Sequence, residues 1–417
     1  MIVEVPLKWV VSYNDDSLPE STDDSTQIRY VEISDVNETD GITGAADVVF
    51  GEAPSRARRI LRRGDVIVST VRTYLRAVAA VGASYDGAIC STGFAVLRAC
   101  GVDERFLKYA VLDRAFMDQV VAQSTGVSYP AINASDLVRI RIPLPAPSEQ
   151  RAIADYLDRE TAQIDAFIAK NEELITLLTE RRLALIARAA FRGLDPAVST
   201  RHSGIEWLGE VPIHWETSRL SRWFGVVLGK MLDASKFAAT EGHYLPYVRA
   251  ANVKQGRLDL SDFKSMPFTA GEQLKLDLRG GDLVVVEGGA SYGVSAYVSE
   301  DMAGWAFQKT VNRVRARGGH STQFLGYQLE VLRCAGVLGM LADASTIPHL
   351  TAEKLERLSI AMPPISEQFS VVEYVEQRTR TLQSAIETAE LGVVLARERR
   401  AALISAAVTG KIEVPAA

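Results

Sequence analysis

Alternating apolar and polar positions mark residues 27–33, 65–71, 77–81 and 94–98 as β-rich runs, and apolar residues at helical spacing behind Asp103 predict a helix over 103–123. Together these runs outline a mixed module, α/β or α+β. Pro143, Pro145 and Pro147 then break the chain. Ser148 is a candidate N-cap, and Glu149 falls in a first turn, where the helix dipole favours a carboxylate. From there the period becomes seven: Leu157, Ile164, Leu178 and Leu185 follow a heptad with Phe167 and Leu174 between them, and Gly193 is placed to end the helix. A helix over 148–190 would run about 65 Å at 1.5 Å per residue, longer than a small domain is wide, so it must project from its module. The pattern recurs after Ser366 with Val375, Leu382, Ala389, Ala396 and Leu403. Two such helices bury their seams most economically against each other, as an antiparallel coiled coil with bulky Leu157, Ile164 and Leu178 facing smaller alanines. Asn171 falls on the seam, where a polar residue either fixes register or is simply solvated.

The recurrence extends over the whole chain. Tyr30-Val31 matches Tyr247-Val248, Leu61-Arg62 matches Leu278-Arg279, Gly64-Asp65 matches Gly281-Asp282, and Arg98-Ala99 matches Arg315-Ala316, all at an offset of 217. From Phe106-Leu107 onward, through Pro130, Leu137, Ser148-Glu149-Gln150 and Arg181-Arg182, the offset is 218. The one-residue slip falls beside Gly101 and Gly318-Gly319, where a loop tolerates insertion. Val5-Pro6-x-x-Trp9 also finds a match in Val211-Pro212-x-x-Trp215, at an offset of 206. The expected organisation is α+β: a module over 1–145, a long helix over 146–198, a second module over 199–362, and a second helix with a tail over 363–417.

Composition changes this picture little. The 417 residues are 47% apolar and 24% charged, an ordinary soluble balance that excludes wholesale disorder. Lys and Arg total 46 against 52 Asp and Glu, so any surface that grips nucleic acid must be local. Cys90, Cys100 and Cys334 have neither disulfide-framework nor zinc-ribbon spacing, which fits a reducing compartment. No basic leader precedes an apolar core and no run is long enough to span a bilayer, so the expectation is a cytoplasmic protein without a membrane partner.

Catalytic signatures are not legible. Gly288-Gly289-Ala290-Ser291-Tyr292-Gly293-Val294-Ser295 resembles a phosphate loop, but Val294 stands where its lysine must be. Met362-Pro363-Pro364-Ile365 lacks the amide or carboxylate and the aromatic of an amino-methyltransferase loop. His202, His214, His243, His320 and His349 have no ligand spacing. The informative charge feature is Arg56, Arg58, Arg59, Arg62, Arg63, Arg72 and Arg76 against one acid, Asp65, with Tyr74 among them. Guanidinium groups clamp phosphates and read the guanine edge. A solvated helix face over 56–63 is the bland alternative. The second copy has no equal cluster: Val286 to Gly293 stands opposite Ser69 to Arg76. A common frame with unlike loops suits a reader of two different half-sites, or else reflects drift of surface loops.

The chain resembles the specificity (S) subunits of Type I restriction-modification systems. The resemblance rests on the order of module and helix and on several strings: the prolines before Ser148-Glu149-Gln150 and Ser366-Glu367-Gln368, Ser203-Gly204-Ile205-Glu206-Trp207-Leu208-Gly209, Ser69-Thr70-Val71-Arg72, Val286-Glu287-Gly288-Gly289, and Ala407-Val408-Thr409-Gly410-Lys411-Ile412. Ala189-Ala190-Phe191-Arg192-Gly193 departs from the usual helix ending. The resemblance implies a non-catalytic chain whose two target-recognition domains each read half of a bipartite site in double-stranded DNA. Its helices would set the spacer and dock two methyltransferase (M) subunits, with or without restriction (R) subunits. No cofactor is expected on this chain; S-adenosylmethionine, ATP and Mg belong to the partners. Candidate DNA contacts are Arg56, Arg59, Arg63, Thr70, Arg72, Tyr74 and Arg76, then Glu287, Ser291, Tyr292, Lys309, Asn312 and Arg313. Candidate packing residues are Leu157, Ile164, Phe167, Asn171, Leu174, Leu178, Val375, Leu382, Ala389 and Ala396. The rival reading is two adhesive modules on a coiled-coil strut.

Overall fold

The computed structural model describes residues 2–231, 243–341 and 349–414. It divides into two compact units, Met1–Glu173 with Ala389–Ala417, and Leu174–Thr388. The division falls inside both long helices, Pro147–Arg192 and Ile365–Val408, so each unit holds one module, the start of one helix and the end of the other.

In the first unit Val11–Tyr13, Phe94–Ala99, Val66–Ser69 and Val78–Ala80 form one sheet. Ala46–Val49, Gln27–Val31, Ile89–Ser91 and Ala57–Ile60 form another. Val66–Ser69 is buried on both faces, which is why it reads as an apolar run. Val66 and Val68 join a core with Phe106, Leu157 and Ala407, and Ile67, pointing the other way, joins one with Leu61 and Phe94. The second unit repeats this: Leu283 and Val285 pack with Phe324, Ile186 and Val375, while Val284 and Val286 pack with Phe268 and Phe307. Its sheets are Phe224–Leu228, Val311–Ala316, Leu283–Val286 and Ser295–Tyr297, and Lys264–Phe268, His243–Val248 and Ala306–Phe307.

Repeated polar pairs turn out to hold this frame. Arg98 grips buried Asp65 through two bonds of 2.8 and 2.9 Å, and Arg315 grips Asp282 through two of 2.7 Å. Gln150 takes the Asp103 N–H and donates to the Pro145 carbonyl, both at 2.8 Å. Gln368 does the same with Ser321 and Pro363, at 2.9 and 2.8 Å. The glutamine after each Ser-Glu pair therefore fastens a long helix to a capping residue of its module.

Four expectations change. The helix over 103–123 is two helices, Glu104–Leu112 and Arg114–Ala122, because Asp113 adopts an extended conformation (φ −56°, ψ 133°) between them. The first long helix begins at Pro147, whose fixed φ suits a first position, so Ser148 is not its cap; Glu149 instead accepts the Ala146 N–H at 2.9 Å. The helices are antiparallel within the first unit, where Asp165 pairs with Arg400 at 2.9 Å and Glu172 with Arg397 at 2.7 Å. However, the buried stripe between Leu157 and Ile164 and beyond is Thr161 and Ile168, while Phe167 and Leu174 are 49% and 44% exposed, the Phe167 ring lying over Gly392 of the second helix. Steps of three and four residues look alike in sequence, and from Ile164 it is the step of four, to Ile168, that leads to a buried residue. Leu157, Ile164, Val375 and Ala389 are buried as expected, and Leu178, Leu382 and Ala396 half-buried. Asn171 donates to the Phe167 carbonyl of its own helix at 2.8 Å.

The fourth change concerns the tryptophans. Val3 pairs with Leu144 and Glu216 with Met362, which makes Ile2, not Trp9, the counterpart of Trp215. Trp9 is 68% exposed and Trp215 1%.

Candidate nucleic-acid interface

The segment after Val66–Ser69 leaves the sheet and turns sharply. Arg72 and Arg76 both hold left-handed backbones, φ 49° and 50°, around the one-turn helix Thr73–Leu75. Such conformations cost non-glycine residues roughly 1–2 kcal/mol each and persist only where surroundings impose them. Here Thr73 is fully buried, its hydroxyl 2.7 Å from that of Ser124, and Arg76 forms an ion pair with Asp118. The turn pushes Tyr74 and Leu75 outward, 54% and 48% exposed.

A second loop completes this tip. Ala131 bridges Val71, Ile132 donates to the Thr70 carbonyl at 2.9 Å, and between Thr125 and Ala131 the chain exposes Val127 completely and Tyr129 by 66%. The Arg72 guanidinium stacks over Tyr129, 4.9 Å from the ring centre, which limits its freedom while leaving its donor edge open. Val127 and Tyr129 were not among the sequence candidates. The available signal was the Gly126, Ser128 and Pro130 cluster, which marks a shaped loop.

The arginine run reads differently in three dimensions. Residues 56–63 are not a helix face; Ala57–Ile60 is an edge strand. Arg56 pairs with Glu32 and Arg62 with Asp16, and Arg58 lies over Phe50. Arg59 is half-buried, and burial lowers its pKa while raising that of adjacent Cys90 to about 12. Arg63 and Arg72 are exposed, and no ion pair to either occurs among the described residues. Thr70 is buried with its hydroxyl on the Gly93 carbonyl at 2.9 Å, so it supports the tip rather than touching DNA.

In the second unit the same two loops meet: Gly288 bridges His349 and Leu350 donates to the Glu287 carbonyl at 2.6 Å. The content differs. Glu287 lies 4.0 Å from His349, Ser291 and Lys309 are exposed, and Tyr292 is half-buried against the core. Where the first module has its arginine strand, the second has the helix Ala270–Lys275, started by a Thr269 and Glu272 capping box. Two candidates are corrected. Asn312 is fully buried and donates to the Leu350 carbonyl at 2.9 Å. Arg313 is 7% exposed, burial lowers its pKa, and it holds the Lys275 and Asp277 carbonyls at 3.1 and 2.7 Å. As neighbours on Val311–Ala316 they point to opposite faces of the sheet, and both are buried because the strand is covered on both sides there.

Among the described residues no cluster of three or more His, Cys, Asp or Glu could hold a metal ion, and no helix is long and apolar enough to cross a membrane.

Comparison with known proteins places this geometry. The chain is 20% identical over 281 residues to the Type I restriction enzyme StySPI specificity subunit of Salmonella potsdam, a match covering 66% of this chain and 58% of that one. It is 22% identical over 321 residues to the MjaVIII specificity subunit of Methanocaldococcus jannaschii, covering 75% and 71%. A solved chain, from a study of complex assembly and conformational transition of the type I R-M system, shares the fold with a TM-score of 0.64 at 24% identity, covering 99% of this chain and 98% of that one. The model of the Type I restriction modification DNA specificity domain matches twice, at residues 14–176 and 212–391, once on each module with its helix, and the chain belongs to that family.

Proposed function

We propose that this chain is the sequence-specificity subunit of a Type I restriction-modification complex, without catalysis of its own and working on DNA in the cytoplasm. Each module reads one half of a bipartite double-stranded site. The paired helices set the unread spacer and dock two methyltransferase subunits, which bind S-adenosylmethionine and methylate adenine at N6. Restriction subunits joining that complex would bring ATP and Mg.

The observation that carries this reading is the pairing of matched frames with unlike tips. Asp65 with Arg98 and Asp282 with Arg315 hold the same strands, yet one frame ends in Arg72, Tyr74 and Tyr129 and the other in Glu287, Ser291 and Lys309. Arginine presented edge-first is suited to the O6 and N7 of guanine; a carboxylate such as Glu287 instead accepts from the amino group of cytosine, and a serine can donate or accept. On a chain of net charge −6, with Arg72 and Lys309 as exposed cations at the two tips, tight DNA binding requires the methyltransferase subunits to complete the clamp.

Co-expression with its methyltransferase subunit in a methylation-free host, followed by genome-wide mapping of N6-methyladenine, tests the reading. One bipartite motif that depends on this chain is expected. No new methylation from a folded, co-purifying pair would contradict it.

A further inference from the structure

Val127 is an apolar, β-branched side chain held wholly in solvent at the crown of a short loop. Such crowns ordinarily carry Gly, Asn, Asp or Ser, and a side chain that buries nothing adds nothing to folding. Yet the loop is built to hold it still. Thr125 and Ala131 exchange two backbone bonds of 2.9 Å that close the loop at its base. Gly126 turns the chain there with φ +111°, and a Cβ on it would stand 3.0 Å from the Tyr129 carbonyl oxygen. A valine has few χ1 choices, so a fixed backbone fixes the direction of its two methyl groups.

The loop is also fastened to Arg72. Ile132 donates to the Thr70 carbonyl and Ala131 bridges Val71, and the Arg72 guanidinium lies over the Tyr129 ring. Val127 is two residues from that ring, at most about 7 Å of chain, or about two base-pair steps. An apolar point and a guanidinium edge at this spacing match what neighbouring base pairs expose in the major groove. Guanine presents two acceptors there, and thymine presents a methyl group. The second copy has a polar residue, Ser345, at the position that the offset of 218 matches to Val127.

We propose that Val127 is a specificity residue that recognises the C5 methyl group of a thymine, in the same half-site as the guanine taken by Arg72 and within about three base pairs of it. The proposal rests on the reading that the first module meets DNA with this tip. Packing one methyl group against Val127 is worth about fourfold in affinity.

The test uses the complex assembled with methyltransferase subunits and duplexes carrying its mapped motif, with binding read by fluorescence anisotropy at fixed salt. Each thymine in the half-site that Arg72→Ala relaxes is replaced in turn by deoxyuridine, which lacks only the methyl group. One replacement is expected to weaken the wild type about fourfold. Val127→Ser, which installs the residue of the second copy, should bind the thymine duplex about fourfold more weakly than the wild type and lose nothing further on deoxyuridine. Its Tm should match the wild type, because the side chain lies outside the core. Wild-type affinity unmoved by every replacement would overturn the proposal, as would a V127S complex that still discriminates thymine from deoxyuridine. An Arg72→Ala complex that keeps both half-specificities would instead overturn the placement of this tip on DNA, and the proposal with it.

Discussion

The two modules share an ion pair, a helix-fastening glutamine and a strand buried on both faces, yet differ in the exposed residues of their tips. The first tip is aromatic and cationic, with Arg72 over Tyr129 beside Tyr74; the second carries an acid, a serine and a lysine around Gly288 and Gly289. The difference is physically cheap. Val66–Ser69 and Leu283–Val286 anchor the loops with buried side chains at the same four positions, so exposed loop residues change without touching the core. Stability and specificity therefore reside in different atoms, and each can be perturbed alone.

The largest expected effect tests the frame. Gln150→Ala and Gln368→Ala each leave a buried backbone N–H and a carbonyl without partners, which costs about 2–4 kcal/mol. Denaturant unfolding should show equal losses in the two variants; a loss in one alone would break the equivalence of the units. Next comes the first tip. Arg72→Ala should weaken binding of the methyltransferase complex to its site by about 1–3 kcal/mol, read by fluorescence anisotropy at fixed salt, with base substitutions in the other half penalised as before. The smallest effect separates positioning from contact. Arg76→Gly removes an exposed ion pair worth up to about 1 kcal/mol but relieves a left-handed backbone of similar cost, so Tm should move little. Arg76→Ala loses the pair and keeps the strain, and should melt lower.

Much of this frame was legible in the sequence because it is periodic. The repeat, the long helices and the strands around Val68 and Val285 follow from spacing alone. What spacing does not settle is which of two adjacent positions is buried: Phe167 and Ile168 satisfy equally good helical steps, and Ile168 is buried while Phe167 lies half-exposed over Gly392. Nor does it show pairing between distant residues. The arginine run looks strongly positive because Asp16, Glu32 and Asp118, which neutralise Arg62, Arg56 and Arg76, are each at least 24 residues away. Asn312 and Arg313 look available for the same reason; their carbonyl partners at Leu350 and Asp277 come from other segments. Trp9 and Trp215 share a short string but not a place, since strand pairing, not the string, fixes which residues correspond.

The central claim is that the two tips read independently. Mapping N6-methyladenine in hosts carrying the methyltransferase subunit with wild type, Arg72→Ala or Lys309→Ala chains tests it most directly. The account predicts that Arg72→Ala relaxes bases in one half of the motif and Lys309→Ala in the other, with the spacer unchanged. Relaxation of the same half by both variants, or of both halves by either, would contradict it.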